Sequence, residues 1–261
     1  MAKKLNELST RTPEIDDYYY ISSNDGTVEG KVKLQDITVI PETSRTINFT
    51  SSQTAAQIQA DIDAVGKYIP KGVIIIFQFG NGTYSLDSSL TFSFFYGGGQ
   101  IFIYGDTSQT DGLHTNHNVH LDFSGGASVV ALWAVHNRVS LISVSHLKIT
   151  ANANIICLQC QREGYYRVWY NYFISNSKTG SFGLAAQDGS TVWSTDNYFN
   201  NHNIAILSTQ NAILYSDTND DTGTQPNTGL NAQSGGKIGK SSTQPSGSST
   251  NESTSTGGKI V

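Results

Sequence analysis

From residue 72 onward the hydrophobic positions come in short runs, each cut off by Gly, Asn or Asp, as in GVIIIFQFGNGTYSLDSSLTF, GGGQIFIYGD and VHLDF. Farther along, SVSHLKI, YYRVWYNYF, STVWSTDNYF, NAILYSDTN, GGKIGK and GGKIV align on one apolar residue each. These anchors are Val144, Val168, Val192, Ile213, Ile238 and Ile260, separated by 24, 24, 21, 25 and 22 positions. A second apolar strand precedes several of them by about eight residues: Leu184 before Val192, Ile204 or Ala205 before Ile213, Leu230 before Ile238. ThrGlnPro recurs at 224–226 and 243–245, each time followed by GlyGlyLysIle. A period in the low twenties, built from strands with no helix between them, predicts a stacked coil of parallel strands. Leucine-rich repeats share the period, but their L-x-x-L-x-L ladder is absent; an antiparallel sandwich is the competing arrangement. About 190 residues wound at about 23 per turn give roughly eight turns and a rod near 40 Å long.

Ahead of this body the pattern changes. Between Thr54 and Val65 the apolar residues Ile58, Ile62 and Val65 fall on one helical face, Ser52 or Thr54 can cap the first turn and Gly66 can end it. A helix of about three turns cannot stand alone, so it is placed as a lid over the end of the coil. Tyr18 to Ile21 and Val28 to Leu34 read as two strands around a turn holding Asn24, Asp25 and Gly26, a hairpin that needs a partner surface. The expected divisions are an N-terminal segment over 1–44, a linker and capping helix over 45–71, and the coil over 72–261.

Charge supports that boundary. Thirteen charged side chains lie in the first 44 residues, whereas the body is sparse in them, and only 14% of the whole chain is charged. The net charge of -5 disfavours a dedicated nucleic-acid binder, which needs a basic face for phosphate. No apolar run is long enough for membrane insertion, and MAKKLNELST lacks the apolar stretch of a signal peptide. Cys157 and Cys160 have no second pair to complete a zinc site and read as buried, inert thiols within a strand.

The segment TAAQIQADIDAVGKYIPKGVIIIFQFGNGTYSLDSSLTF and the GlyGlyLysIle turns resemble the helix cap and coils of right-handed, single-stranded parallel β-helices of the pectate-lyase-like group, in the form found in bacteriophage appendages. The resemblance covers about residues 45 to 261. KKLNELS and DDYYYISSNDGTVEGKVKLQDI are similar to the short N-terminal anchors of phage fibres and spikes. What this implies is a structural virion protein, a head or tail fibre or tailspike subunit located in the virion. It implies a homotrimer, docked to capsid, collar or tail through residues 1–44 and adhering to a host-surface glycan or protein. The apolar strand GGKIV supplies an independent reason to expect a covering partner, since an open end of a parallel stack exposes unpaired backbone.

Polysaccharide-cleaving relatives of this fold usually carry paired carboxylates. Asp196 and Asp217 each lie four positions after an anchor, so they could stack on consecutive turns as an acid and a base, which is the depolymerase alternative; turn capping is the plainer role. A decoration protein without a ligand is a third reading. Asp217, Asp220 and Asp221 cluster without a calcium-loop spacing, and His114, His117 and His120, spaced by three, scatter across the faces of a strand. No metal and no cofactor is therefore expected, although rings of like histidines across a trimer axis are a conceivable metal site. Tyr165, Tyr166, Trp169 and Trp193 are the candidate contacts to a glycan or a neighbouring subunit, because outward rings stack on flat apolar surfaces with polar rims.

Overall fold

The computed structural model describes residues 18–22, 28–33, 44–108, 117–126 and 129–261. The protein is all-β, a parallel β-helix with one short helix among the described residues. Three parallel sheets of nine, six and seven strands form its sides. Each of the first six coils runs once through the first, second and third sheet. The first coil uses Ile74–Phe79, Gly82–Ser85 and Leu90–Ser93, and the fourth uses Tyr165–Trp169, Tyr172–Ser175 and Phe182–Gln187. The sixth coil is Ile213–Asp217, Asp220–Asp221 and Thr228–Gln233; the seventh has two strands, Lys237–Ser241 and Thr250–Ser255, and Lys259–Ile260 opens an eighth. Nine strands at about 4.8 Å make the first sheet about 38 Å long.

One hydrophobic cluster runs along the interior from Phe49 to Ile238, with Ile260 packed against its end. The expected single column of anchors needs correction. Val144 stacks on Val168, but Val168 pairs with Ser194, while Val192 pairs with Tyr166 and Leu214. Leu214 and not Ile213 points inward, and it pairs with Ile238, which pairs with Ile260. The inner column is therefore Ile142, Tyr166, Val192, Leu214, Ile238 and Ile260, with a neighbouring column through Val144 and Val168. Strand side chains alternate faces, so a slip of one residue turns a buried anchor into a surface one.

The helix spans Ala55–Asp63, and Thr54 caps it by accepting a hydrogen bond from the Gln57 amide, with Gln57 reaching back to the Thr54 N–H in a capping box. Its C-cap is Ala64, short of Gly66. Ile58, Ile62 and Val65 are buried in the core. Gln59 accepts from the Thr91 amide at 2.8 Å and donates to the Thr91 carbonyl at 3.0 Å, satisfying backbone groups on the first strand of the third sheet. Arg45–Phe49, ahead of the helix, pairs with Ile74–Phe79 and ends the first sheet. The hairpin is present as Tyr18–Ser22 paired antiparallel with Val28–Lys33; apart from Ser44, the rest of the N-terminal segment lies outside the described residues.

Two corner devices recur from coil to coil. Where the first sheet turns into the second, His146, Tyr170, Asp196, Thr218 and Ser242 hold the left-handed conformation, φ between 50° and 59°. Fully buried Asn171, Asn197 and Asn219 follow three of them and form a ladder. Asn171 Oδ1 accepts from the Leu147 amide, Asn197 Oδ1 from that of Asn171, and Asn219 Oδ1 from that of Asn197. Each side chain thus satisfies a backbone donor that a buried corner would otherwise orphan. Where the third sheet turns back to the first, Phe94, His136, Arg162, Asp188, Gln210, Ser234 and Thr256 are all left-handed, φ 50° to 62°, in seven successive coils.

Candidate functional site

Register on the first sheet fixes which side chains face out. Arg167 pairs with Trp193, Trp193 with Tyr215 and Tyr215 with Gly239, so these form one outer row. Trp169, Thr195, Asp217 and Ser241 form the next row on the same face, and Tyr165, Thr191, Ile213 and Lys237 a third. Trp193 and Tyr215 are 48% and 49% exposed, large values for rings of this size, with centroids 6.0 Å apart. Gly239 continues the row without a side chain, and the Tyr215 ring lies over it: a Cβ there would come within 3.2 Å of the ring.

The rows enclose a shallow groove. A depression of about 550 Å³ is lined by Tyr165, Arg167, Trp169, Trp193 and Asp196 among others. One of about 370 Å³, lined by Tyr215, Asp217 and Lys240, shares Trp193 with it. The Arg167 guanidinium lies 4.6 Å from the Trp169 ring centre, a cation–π contact that orients both groups. Trp169 Nε1 donates to Ser143 Oγ at 3.0 Å, and its ring packs edgewise on His146. Aromatic faces, a guanidinium and carboxylates along one trough supply stacking surface together with hydrogen-bond donors and acceptors.

Three of the four aromatic candidates, Tyr165, Trp169 and Trp193, come together here. Tyr166 does not: it is fully buried between Ile142 and Val192 in the inner column, so it cannot reach an external ligand. Tyr215 and Arg167 belong to the same face and escaped the sequence reading; their alternation with Leu214 and Val168 was the available signal.

Asp196 and Asp217 line the two depressions but do not share a row. Asp217 pairs with Thr195, so Asp196 sits one position out of register, on the left-handed corner, its amide donating to the Asp217 carbonyl at 3.3 Å. Hydrogen bonds from the side chains of Ser242 and Ser241 hold the Asp217 carboxyl below its usual range, opposite to the rise that repulsion within a stacked pair would produce. Asp221 Oδ1 accepts from Ser246 N at 2.9 Å and from Ser246 Oγ at 2.8 Å, which ties two coils together.

Among the described residues no three His, Cys, Asp or Glu side chains gather as a metal-binding group. His120 Nε2 lies 2.8 Å from Thr150 Oγ1 and burial, then Lys148, lowers its pKa; His117 is buried, and His114 lies outside the described residues. Cys157 and Cys160 are free thiols at zero exposure, their pKa values driven up by desolvation. No helix among the described residues is long and apolar enough to cross a membrane.

No family model matches this chain, and no curated protein matches its sequence. Among solved structures it is similar to the rice weevil pectin methyl esterase, with a TM-score of 0.40 and 12% identity over 76% of this chain and 68% of that one. At that level of similarity nothing about activity carries over.

Proposed function

We propose that the protein is an adhesive, structural subunit of a bacteriophage virion appendage, a head or tail fibre or spike, whose first-sheet face holds a host-surface glycan without breaking it. The observation that carries the adhesive part is the outer row Arg167, Trp193 and Tyr215, where two rings stay half exposed on a rigid parallel sheet. Fixed rings lose little freedom on binding, so stacking surface converts efficiently into affinity. The virion part is supported by the N-terminal and helix-cap segments quoted above and by the rod-like coil. In this reading residues 1–44 dock to capsid, collar or tail, three copies assemble, and weak sites gain strength through multivalency.

The test is retention of the protein on immobilised bacterial surface glycans, with Trp193→Ala beside the unsubstituted chain. Loss of retention by the variant alone supports the reading; equal retention refutes it. The depolymerase reading uses the same groove, since Asp196 and Asp217 border it. A carboxylate kept ionised by serine hydroxyls suits ligand binding or a base, not a proton donor. Release of reducing ends that disappears in Asp217→Asn would favour cleavage instead. Sedimentation of the chain as a monomer at micromolar concentration would count against the trimeric rod.

A further inference from the structure

A second recess lies one corner away, where the third sheet turns back to the first. It measures about 640 Å³ and is lined by Phe94, Tyr96, His136, Arg138, Arg162, Glu163 and Asp188. Phe94, His136, Arg162 and Asp188 occupy the same left-handed corner position in four consecutive coils, so their side chains form a ladder up the rod. Each rung touches the next. Phe94 stacks on His136 at 5.0 Å and 10°, Arg162 Nη1 donates to His136 Nε2, and Arg162 Nε lies 3.8 Å from Asp188 Oδ2. Beside the ladder, Arg138 Nε donates to Glu163 Oε2 at 2.7 Å, and Tyr96 packs on Tyr68 at 5.6 Å.

Phe94 is the informative member. It is 57% exposed, and its φ of 62° is a conformation that bulky residues rarely hold. The chain therefore keeps a large ring in water on a backbone where glycine would sit without strain, and Tyr96, 48% exposed, stands close by. Around these rings the two guanidiniums are matched by two carboxylates. An anionic ligand would meet Glu163 and Asp188 at close range, whereas vicinal hydroxyls find donors in Arg138 and Arg162 and acceptors in Glu163 and Asp188.

We infer that this corner recess is a second carbohydrate subsite, one that takes an uncharged sugar ring stacked on Phe94 and fixed by the Arg138–Glu163 and Arg162–Asp188 pairs. The inference rests on the glycan-binding reading of the first-sheet face and adds a separate site with its own selectivity. Glu163 of the recess precedes Tyr165 of the first-sheet groove by two residues, so the chain runs directly from one site into the other while the two share no lining residue.

The experiment uses the full chain on an immobilised panel of neutral hexose and N-acetylhexosamine oligosaccharides, with uronate-bearing oligosaccharides as charged counterparts. Phe94→Gly is the key variant, because glycine relieves the left-handed backbone while deleting the stacking wall, so the fold is retained. Expected are preferential binding of the neutral set, a roughly tenfold loss in Phe94→Gly, and less than about a twofold change between low and high salt, since no net charge is neutralised. Preference for the uronate set with steep salt dependence would overturn the inference. So would binding lost in Trp193→Ala but unchanged in Phe94→Gly, an outcome that leaves the first-sheet reading standing. Absence of binding to every member of the panel would remove both.

Discussion

Asn197→Ala tests the internal ladder that gives the corners their shape. The Asn197 side chain is fully buried, and its Oδ1 accepts from the Asn171 amide at 3.0 Å. Its Nδ2 donates to the Val168 carbonyl at 2.8 Å and to the Thr195 carbonyl at 3.0 Å. Alanine leaves the Asn171 N–H facing a dry void and strips one donor from each carbonyl. A buried group left without its partner costs about 1–3 kcal/mol, and the lost donations and small cavity add to it, so the total is about 3 kcal/mol. Asn176→Ala, at an exposed rung where Nδ2 donates to Asn152 Oδ1, should stay within about 0.5 kcal/mol.

A stacked coil unfolds by neighbours, so a single denaturation midpoint blurs a local defect. Amide hydrogen exchange resolves it. A loss of about 3 kcal/mol corresponds to a roughly hundredfold fall in protection at Asn171 and in the flanking coils, while amides near Ile75 keep theirs. Unchanged protection at Asn171, with a denaturation shift no larger than that of Asn176→Ala, would refute the claim that side-chain amides hold the corners.

Other expectations follow from the same geometry. His202 is fully buried against Phe199, and desolvation pushes its pKa down to about 4 against an ordinary 6.5. The unfolded chain therefore takes up the proton first, and the native state loses up to about 3 kcal/mol as pH falls from 6.5 to 4. Denaturation series across that range should show the slope in the unsubstituted chain and lose most of it in His202→Leu. Cys157 and Cys160 should resist a thiol reagent in the native protein and react after unfolding; labelling of either in the native state would contradict their burial. A Cβ at Gly236 would lie 2.2 Å from the Ser208 carbonyl oxygen, so Gly236→Ala should destabilise by about 1–3 kcal/mol, read by the same hydrogen exchange around Lys237.

The coil itself was legible because its period depends only on how often an apolar strand returns, and the helix because Thr54, Gln57, Ile58 and Ile62 carry both cap and face. Register was not. Tyr166 to Val192 is a step of 26, Val192 to Leu214 one of 22 and Leu214 to Ile238 one of 24, so spacing alone does not say which side of a strand faces in. At Ile213 and Leu214 two equally apolar neighbours compete, and only pairing with Val192 decides between them. Consecutive Tyr165 and Tyr166 must face opposite sides, and alternation alone does not say which faces in; Tyr166 does, its hydroxyl reaching the Gln161 carbonyl at 3.3 Å. The asparagine ladder left a signal in YNYF, DNYF and TNDD, where Asn holds the same place in three coils. The corner recess left no periodic signal, since Phe94, His136, Arg162 and Asp188 share a backbone conformation and no chemistry.

That last point explains why both candidate sites border the first sheet. A left-handed residue turns the chain at each of these corners, and the residues that do so differ widely in type, from Phe94 and His136 to Asp188 and Ser234. The first sheet is flanked by two such columns, Phe94 through Thr256 on one side and His146 through Ser242 on the other. Between them its outer rows are constrained only by pairing with the strands above and below. Core positions must stay apolar to keep the stack closed, and the asparagine positions must keep an amide. The surface from Phe94 across Arg167 and Trp193 to Asp196 is thus where the fold tolerates change most freely, and there the chain exposes its large rings beside its arginines. In the glycan-binding reading proposed above, the large side chains left in water on positions the stack does not need serve contact with a ligand, not stability.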